Sequence, residues 1–134
     1  MSRWTHVAGL IRIDSVSRQL AGVDWVPLLQ HELTRYELPS GSEGPIEFRI
    51  ADVADENSMS RGWLAIWGDL RDFGEKEDVE SILRWLRRVF WKDQDHPHYW
   101  VRQGFVQVED MAGSNSCVFL YCGEDGWLRL GEDA

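Results

Sequence analysis

The sequence predicts a ferredoxin-like α+β fold, in which an antiparallel sheet carries two helices on one face. Segments that alternate apolar and polar residues, as strands do, and segments with the three- and four-residue spacing of amphipathic helices follow one another in the order β-α-β-β-α-β-β. Two right-handed β-α-β crossovers can interleave in one such sheet. The length of 134 residues suits a single domain over residues 1–134.

The first strand and the first helix are predicted from their periodicities. Trp4–Ile13 alternates between two faces, as a strand does. Asp24 can cap a helix, and Pro27 is tolerated in its first turn. One face of this helix carries apolar residues at spacings of three and four: Val26, Leu29 and Leu33. We expect the helix to end near Tyr36, before the loop Pro39–Pro45.

The second and third strands follow that loop. Ile46–Ala51 alternates apolar side chains with Glu47 and Arg49. A polar turn region, Asp52–Ser60, leads into Arg61–Leu70, where tryptophan, alanine and tryptophan alternate with leucine, isoleucine and glycine. Both patterns have the period of two that is typical of strands.

The second helix has the clearest periodicity in the chain, and two strands follow it. Its apolar residues recur at spacings of three and four: Val79, Ile82, Leu83, Leu86, Val89 and Phe90. After the loop Trp91–Pro97 we expect a long strand, Tyr99–Glu109. The turn Met111–Ser116 then leads into a last strand, Cys117–Cys122, and residues 123–134 form an acidic C-terminal tail.

Composition and charge narrow the classes of function. The net charge of −9 repels nucleic acid at long range and would attract a basic partner, although solubility alone would also explain it. Cys117 and Cys122, five residues apart in one strand, are too distant for a disulfide, which favours a reducing compartment. No apolar run resembles a signal peptide or a membrane span, so we expect a cytoplasmic protein.

The face of the sheet away from the helices is the candidate binding surface. Aromatic residues and arginine are enriched at the centres of protein interfaces. The residues predicted to contact a partner are Trp4, His6, Arg12, Glu47, Arg49, Trp63 and Trp67. The fourth strand adds either Gln103 and Gln107 or Arg102, depending on register. The alternative is that the chain itself covers this face, with the segment around Trp91 or Trp127.

Clusters of charged residues offer weaker candidates. An acidic surface is predicted at Asp69, Asp72, Glu75, Glu77, Asp78 and Glu80. Together with other carboxylates it could imitate a nucleic-acid backbone, although dispersed solubilising charge is the simpler interpretation. The other cluster is Asp93, Asp95, His96 and His98, whose residue types could bind a metal ion but which lacks a remote ligand. We therefore predict no metal, no cofactor and no catalytic residue.

Three segments resemble small, functionally uncharacterised accessory proteins of tailed phages and prophages. They are Trp4–Arg12, Gly41–Pro45 and Gly68–Phe73. The resemblance transfers no catalytic residue. It implies a protein that binds and blocks a component of host defence, as anti-CRISPR proteins do, within the host cytoplasm.

Three hypotheses about function follow. The first is stoichiometric inhibition of a bacterial immune effector by protein binding, without direct binding of nucleic acid or membrane. The second is a phage structural or assembly protein, or an adaptor that forms a homodimer through the same face. The third is an enzyme that acts on a small metabolite, centred on Asp69 and Asp72 or on His96 and His98.

Overall fold

A long central strand, β1, organises the structure. The computed structural model describes residues 4–53, 60–71, 78–90, 98–110, 115–122 and 128–132. Its elements in chain order are β1 (Trp4–Ser15), α1 (Ser17–Ala21), α2 (Trp25–Arg35), β2 (Ser40–Gly41), β3 (Gly44–Pro45), β4 (Glu47–Val53), β5 (Ser60–Arg71), α3 (Asp78–Val89), β6 (Trp100–Asp110), β7 (Asn115–Cys122) and β8 (Leu128–Glu132).

Six of the strands form one sheet, in the order β4-β5-β1-β6-β7-β8, and each neighbouring pair is antiparallel. β1 pairs along its whole length with β5, from Trp4 opposite Arg71 to Ser15 opposite Ser60. On its other side β1 pairs with β6. β2 and β3 form a separate two-stranded ribbon.

The helices α2 and α3 cover one face of this sheet. The side chain of Asp24 accepts a hydrogen bond from the backbone N–H of Val26, so it caps α2 as its position predicts. The two helices and the sheet share one hydrophobic core, whose fully buried side chains include Ile11, Trp25, Leu29, Leu33, Leu64, Ile66, Ile82 and Leu86.

An indole joins the two helices within this core. The Nε1–H of the buried Trp85 in α3 donates to the carbonyl oxygen of Leu33, 3.1 Å away. That carbonyl lies in the last turn of α2, where backbone acceptors lack partners within the helix. The bond therefore satisfies the end of one helix while it packs the other against it.

The predicted ferredoxin-like order β-α-β-β-α-β-β is wrong. The sheet extends two strands beyond β6, and part of the predicted tail, Leu128–Glu132, forms its edge strand β8. The ribbon β2–β3 lies inside the predicted loop, and the short helix α1 precedes α2. The chain is thus a predominantly β structure in which a six-stranded antiparallel sheet carries helices on one face. None of the described helices combines the length and the apolar character needed to cross a bilayer.

Candidate functional site

The candidate site is the face of the sheet opposite α2 and α3, which we call the open face. Alternation along β1 assigns the two faces: Val7, Ile11 and Ile13 are buried in the core, whereas His6 and Leu10 are exposed. The pairing registers place the following residues on the open face: Trp4, His6, Ala8, Leu10, Arg12, Glu47, Arg49, Ala51, Arg61, Trp63, Ala65, Trp67, Asp69, Arg71, Gln103, Phe105, Gln107 and Glu109.

All of the residues predicted to bind a partner belong to this face. They are Trp4, His6, Arg12, Glu47, Arg49, Trp63 and Trp67. Cross-strand pairing sets Glu47 opposite Trp67 and Arg12 opposite Trp63, and the row of Arg49 lies between these two pairs. Their placement together follows from strand alternation, whereas their role in binding stays a prediction.

The centre of the open face is apolar and accessible to solvent. Leu10, Trp67 and Phe105 are 38%, 41% and 39% exposed, so each presents more than a third of its surface to solvent. Leu10 lies directly opposite Phe105 on β6 and opposite Ala65 on β5, so these residues form one continuous row across three strands. Scattered exposed apolar residues need no explanation, but a contiguous row is typical of an interaction surface.

Polar contacts between strands hold the aromatic and imidazole side chains of this face in place. The Nε1–H of Trp67 donates to the carboxylate of Glu47 at 2.8 Å. The Nδ1 of His6 lies 2.6 Å from the Oδ1 of Asp69, its register partner on β5. Side chains that are already ordered lose less conformational entropy in any contact they make, so these bonds lower the entropic cost of a contact at Trp67 or His6.

A buried carboxylate supports Arg12 near one end of the open face. Asp14 is only 2% exposed, and its Oδ1 lies 3.4 Å from the Nε of Arg12. Among the described residues, neither atom has a hydrogen-bond partner. Since a buried charge is costly without an opposite charge nearby, Asp14 fixes where the guanidinium of Arg12 can lie.

A bulge in β6 settles the choice between Gln103 and Arg102. Arg12 pairs with Gln103 and Ile13 pairs with Val101, so Arg102 is an extra residue between the two pairs. Beyond the bulge Gln103, Phe105 and Gln107 share the open face. Phe105 is two residues from each glutamine, so strand alternation alone places it on the same face. The prediction nevertheless named only the polar residues of this strand.

The predicted acidic surface is divided between the two sides of the sheet. Asp69 lies on the open face, whereas Asp78 and Glu80 belong to the first turn of α3, in the helix layer. Asp72, Glu75 and Glu77 lie outside the described residues. The acidic set is therefore not confined to one flank of the molecule. Mimicry of a nucleic-acid backbone stays a prediction.

Two other carboxylates, Asp24 and Asp52, share one structural partner. The Nη2 of Arg18 lies 2.6 Å from both Asp24 and Asp52, which ties α1 to the start of α2 and to the edge strand β4. Hydrogen bonds to Asp52 and Asp24 raise the pKa of Arg18. The bond from Arg18 lowers the pKa of Asp24, and the N–H of Val26 adds to this effect while partial burial opposes it.

The predicted metal-type cluster cannot be assembled from the described residues. Asp93, Asp95 and His96 lie outside them, and the backbone carbonyl of His98 accepts a hydrogen bond from Ser15. Within the described part of the chain, no three His, Cys, Asp or Glu side chains are grouped so that they could hold a metal ion.

A concave feature lies on the helical side of the molecule. This cleft has a volume of about 280 Å³ and is lined by Glu37, Leu38, Pro39, Ser40, Ser81, Arg84, Trp85 and Arg88. Arg84 and Arg88 already take part in other interactions. None of the residues predicted to bind a partner or to catalyse a reaction lines the cleft, so the open face remains the candidate site.

Comparisons with protein-family models, with curated proteins and with solved structures found no match to this chain. The resemblance of Trp4–Arg12, Gly41–Pro45 and Gly68–Phe73 to phage accessory proteins therefore stays a prediction from the sequence.

Proposed function

We propose that the protein acts by binding another protein through the open face rather than by catalysis. The observation that carries the proposal is the contiguous, exposed row of Leu10, Ala65 and Phe105 beside the half-exposed Trp67. Large apolar side chains surrounded by polar and charged groups are the usual anatomy of a protein interface. The sheet provides a rigid support for them, since β1 is paired on both sides.

We infer the class of partner from the sequence resemblance together with the charge. The resemblance implies a phage-type accessory protein that blocks a bacterial immune effector, such as a CRISPR–Cas complex, in the host cytoplasm. Effectors that hold nucleic acid carry basic surfaces, and a chain with a net charge of −9 would be attracted to them. The acidic side chains thus assist the encounter, and the open face supplies the specific contact.

The decisive experiment is a phage plaquing assay on an immune bacterial strain. Expression of the wild-type chain should raise the efficiency of plaquing, whereas Leu10→Asp and Trp67→Asp should abolish this effect because each places a charge in the apolar centre. Arg87→Asp is the control, since Arg87 is an exposed residue of α3 on the helix layer.

Each outcome of this assay bears on the proposal. Immunity that is unaffected by the wild-type chain in every defence system tested would reject the immune effector as the partner. Inhibition that survives both substitutions on the open face would reject that face as the site.

A further inference from the structure

We infer that the open face is self-complementary and that, without another partner, a second copy of this chain occupies it as a twofold-symmetric dimer. This inference rests on the same face as the proposed function but requires a different occupant. The two occupants would compete for the face, so the dimer would be the form in which the free protein protects its apolar centre from water.

Charge is distributed unevenly along the strands of the open face. At one end of the open face lie the cationic Arg12 of β1, opposite Trp63, and Arg61, two residues along β5 from Trp63. The buried Asp14 lies opposite Arg61. At the other end lie the acidic Glu47, Asp69 and Glu109, together with Arg71, which already pairs with Glu43. Between the two ends lies the apolar row of Leu10, Ala65 and Phe105. The face therefore runs from an end with net positive charge, through an apolar centre, to an end with net negative charge.

The symmetry of a dimer decides whether this gradient attracts or repels. One possible twofold axis lies in the plane of the interface, perpendicular to the strands, and passes through the row of Leu10. This axis reverses the strand direction in the second copy. Leu10 then meets Leu10, the row of Trp63 meets the row of Trp67, and Arg61 meets Asp69. A dyad parallel to β1 would instead set Asp69 over Glu109, acid against acid. Charge therefore selects the perpendicular dyad.

One residue opposes this arrangement. Arg49 lies in the same row as Leu10, on the edge strand β4, so two Arg49 residues approach each other across the dyad. Glu47 lies one row away on the same strand, at about 7 Å by strand geometry, and provides an opposite charge for each arginine. The unfavourable pair is at the rim of the interface, where water screens charges.

The area of the face sets the expected strength. With strands ~4.8 Å apart and residues ~3.4 Å apart, β5, β1 and β6 over about ten residues each, together with β4 over its seven residues, span roughly 600 Å². A standard stable interface buries about 800 Å² on each partner. The dimer should therefore be weak, with a dissociation constant on the order of micromolar.

Sedimentation velocity of the purified chain over a range of concentrations tests the inference, with reversed charges as the probe. The wild-type chain should dimerise, and Arg61→Asp and Asp69→Arg should each weaken the dimer about tenfold, because the pair occurs twice in a twofold dimer. The double variant Arg61→Asp/Asp69→Arg should restore it. Arg87→Asp, which changes the net charge as Arg61→Asp does, should leave dimerisation unchanged.

The outcomes separate this inference from the proposed function. A wild-type chain that is monomeric at every concentration, single variants that dimerise like wild type, or a double variant that fails to recover would each overturn the dimer. None of these results depends on plaquing. Conversely, a failed plaquing assay would leave the sedimentation result standing.

Discussion

The assignment of the two faces of β1 makes a quantitative prediction about neighbouring residues. Ile11 is fully buried under the helices, whereas Leu10, on the opposite face, is 38% exposed. Ile11→Ala should lower the free energy of unfolding by about 2–5 kcal/mol, because a cavity adds to the lost burial. Leu10→Ala loses only part of the burial and leaves no cavity, so it should cost about 1 kcal/mol.

Urea unfolding followed by circular dichroism measures both costs. The two variants should have the same m-value as wild type but different midpoints of unfolding, and the midpoint of Ile11→Ala should be far lower than that of Leu10→Ala. The concentration of protein should be kept low so that dimerisation does not contribute. Equal losses for the two variants would show that another part of the chain seals the open face, and the reasoning about that face would be refuted.

Three further predictions concern the scaffold. Trp85→Phe should cost about 2–4 kcal/mol in urea unfolding, since it leaves the carbonyl of Leu33 without its donor; a loss below 1 kcal/mol would contradict this role. Gly62→Ala should destabilise by about 1–3 kcal/mol because the new Cβ would lie 2.5 Å from an indole carbon in the core, whereas Gly68→Ala, whose contacts are at 3.4 Å, should be tolerated. Asp24→Asn should cost under about 1 kcal/mol at pH 7, because its pair with a guanidinium is partly exposed. The lowered pKa of Asp24 means that this contribution is present above the ordinary carboxyl pKa and is lost as the pH falls through the folded value, so wild type and variant should converge in acid.

Periodicity predicted most of the elements that form the open face. The strand predicted over Arg61–Leu70 corresponds to β5, and the spacing of apolar residues predicted α3. Because a strand places alternate residues on opposite faces, the choice of which residues share the open face followed from the strands β1, β4 and β5 alone. The exposure of Leu10 and Phe105 depends on what packs above them, which local pattern does not encode.

The errors have physical causes as well. β8 has only five residues within a strongly acidic segment, too short for alternation to stand out, and its pairing with β7 is a tertiary contact. Asp14 and Ser15 are polar, so the prediction ended β1 at Ile13, although both are buried in the strand. Omission of β8, of the ribbon β2–β3 and of α1 gave the wrong element order.

The measurement that tests the central claim most directly is calorimetric titration of the chain into the purified immune effector identified by the plaquing assay. The account predicts stoichiometric binding by wild type and by Arg87→Asp. It also predicts affinity at least about 30-fold lower for Leu10→Asp, the loss expected at a central interface residue. Equal affinities for all three proteins would contradict the claim that the open face is the binding surface.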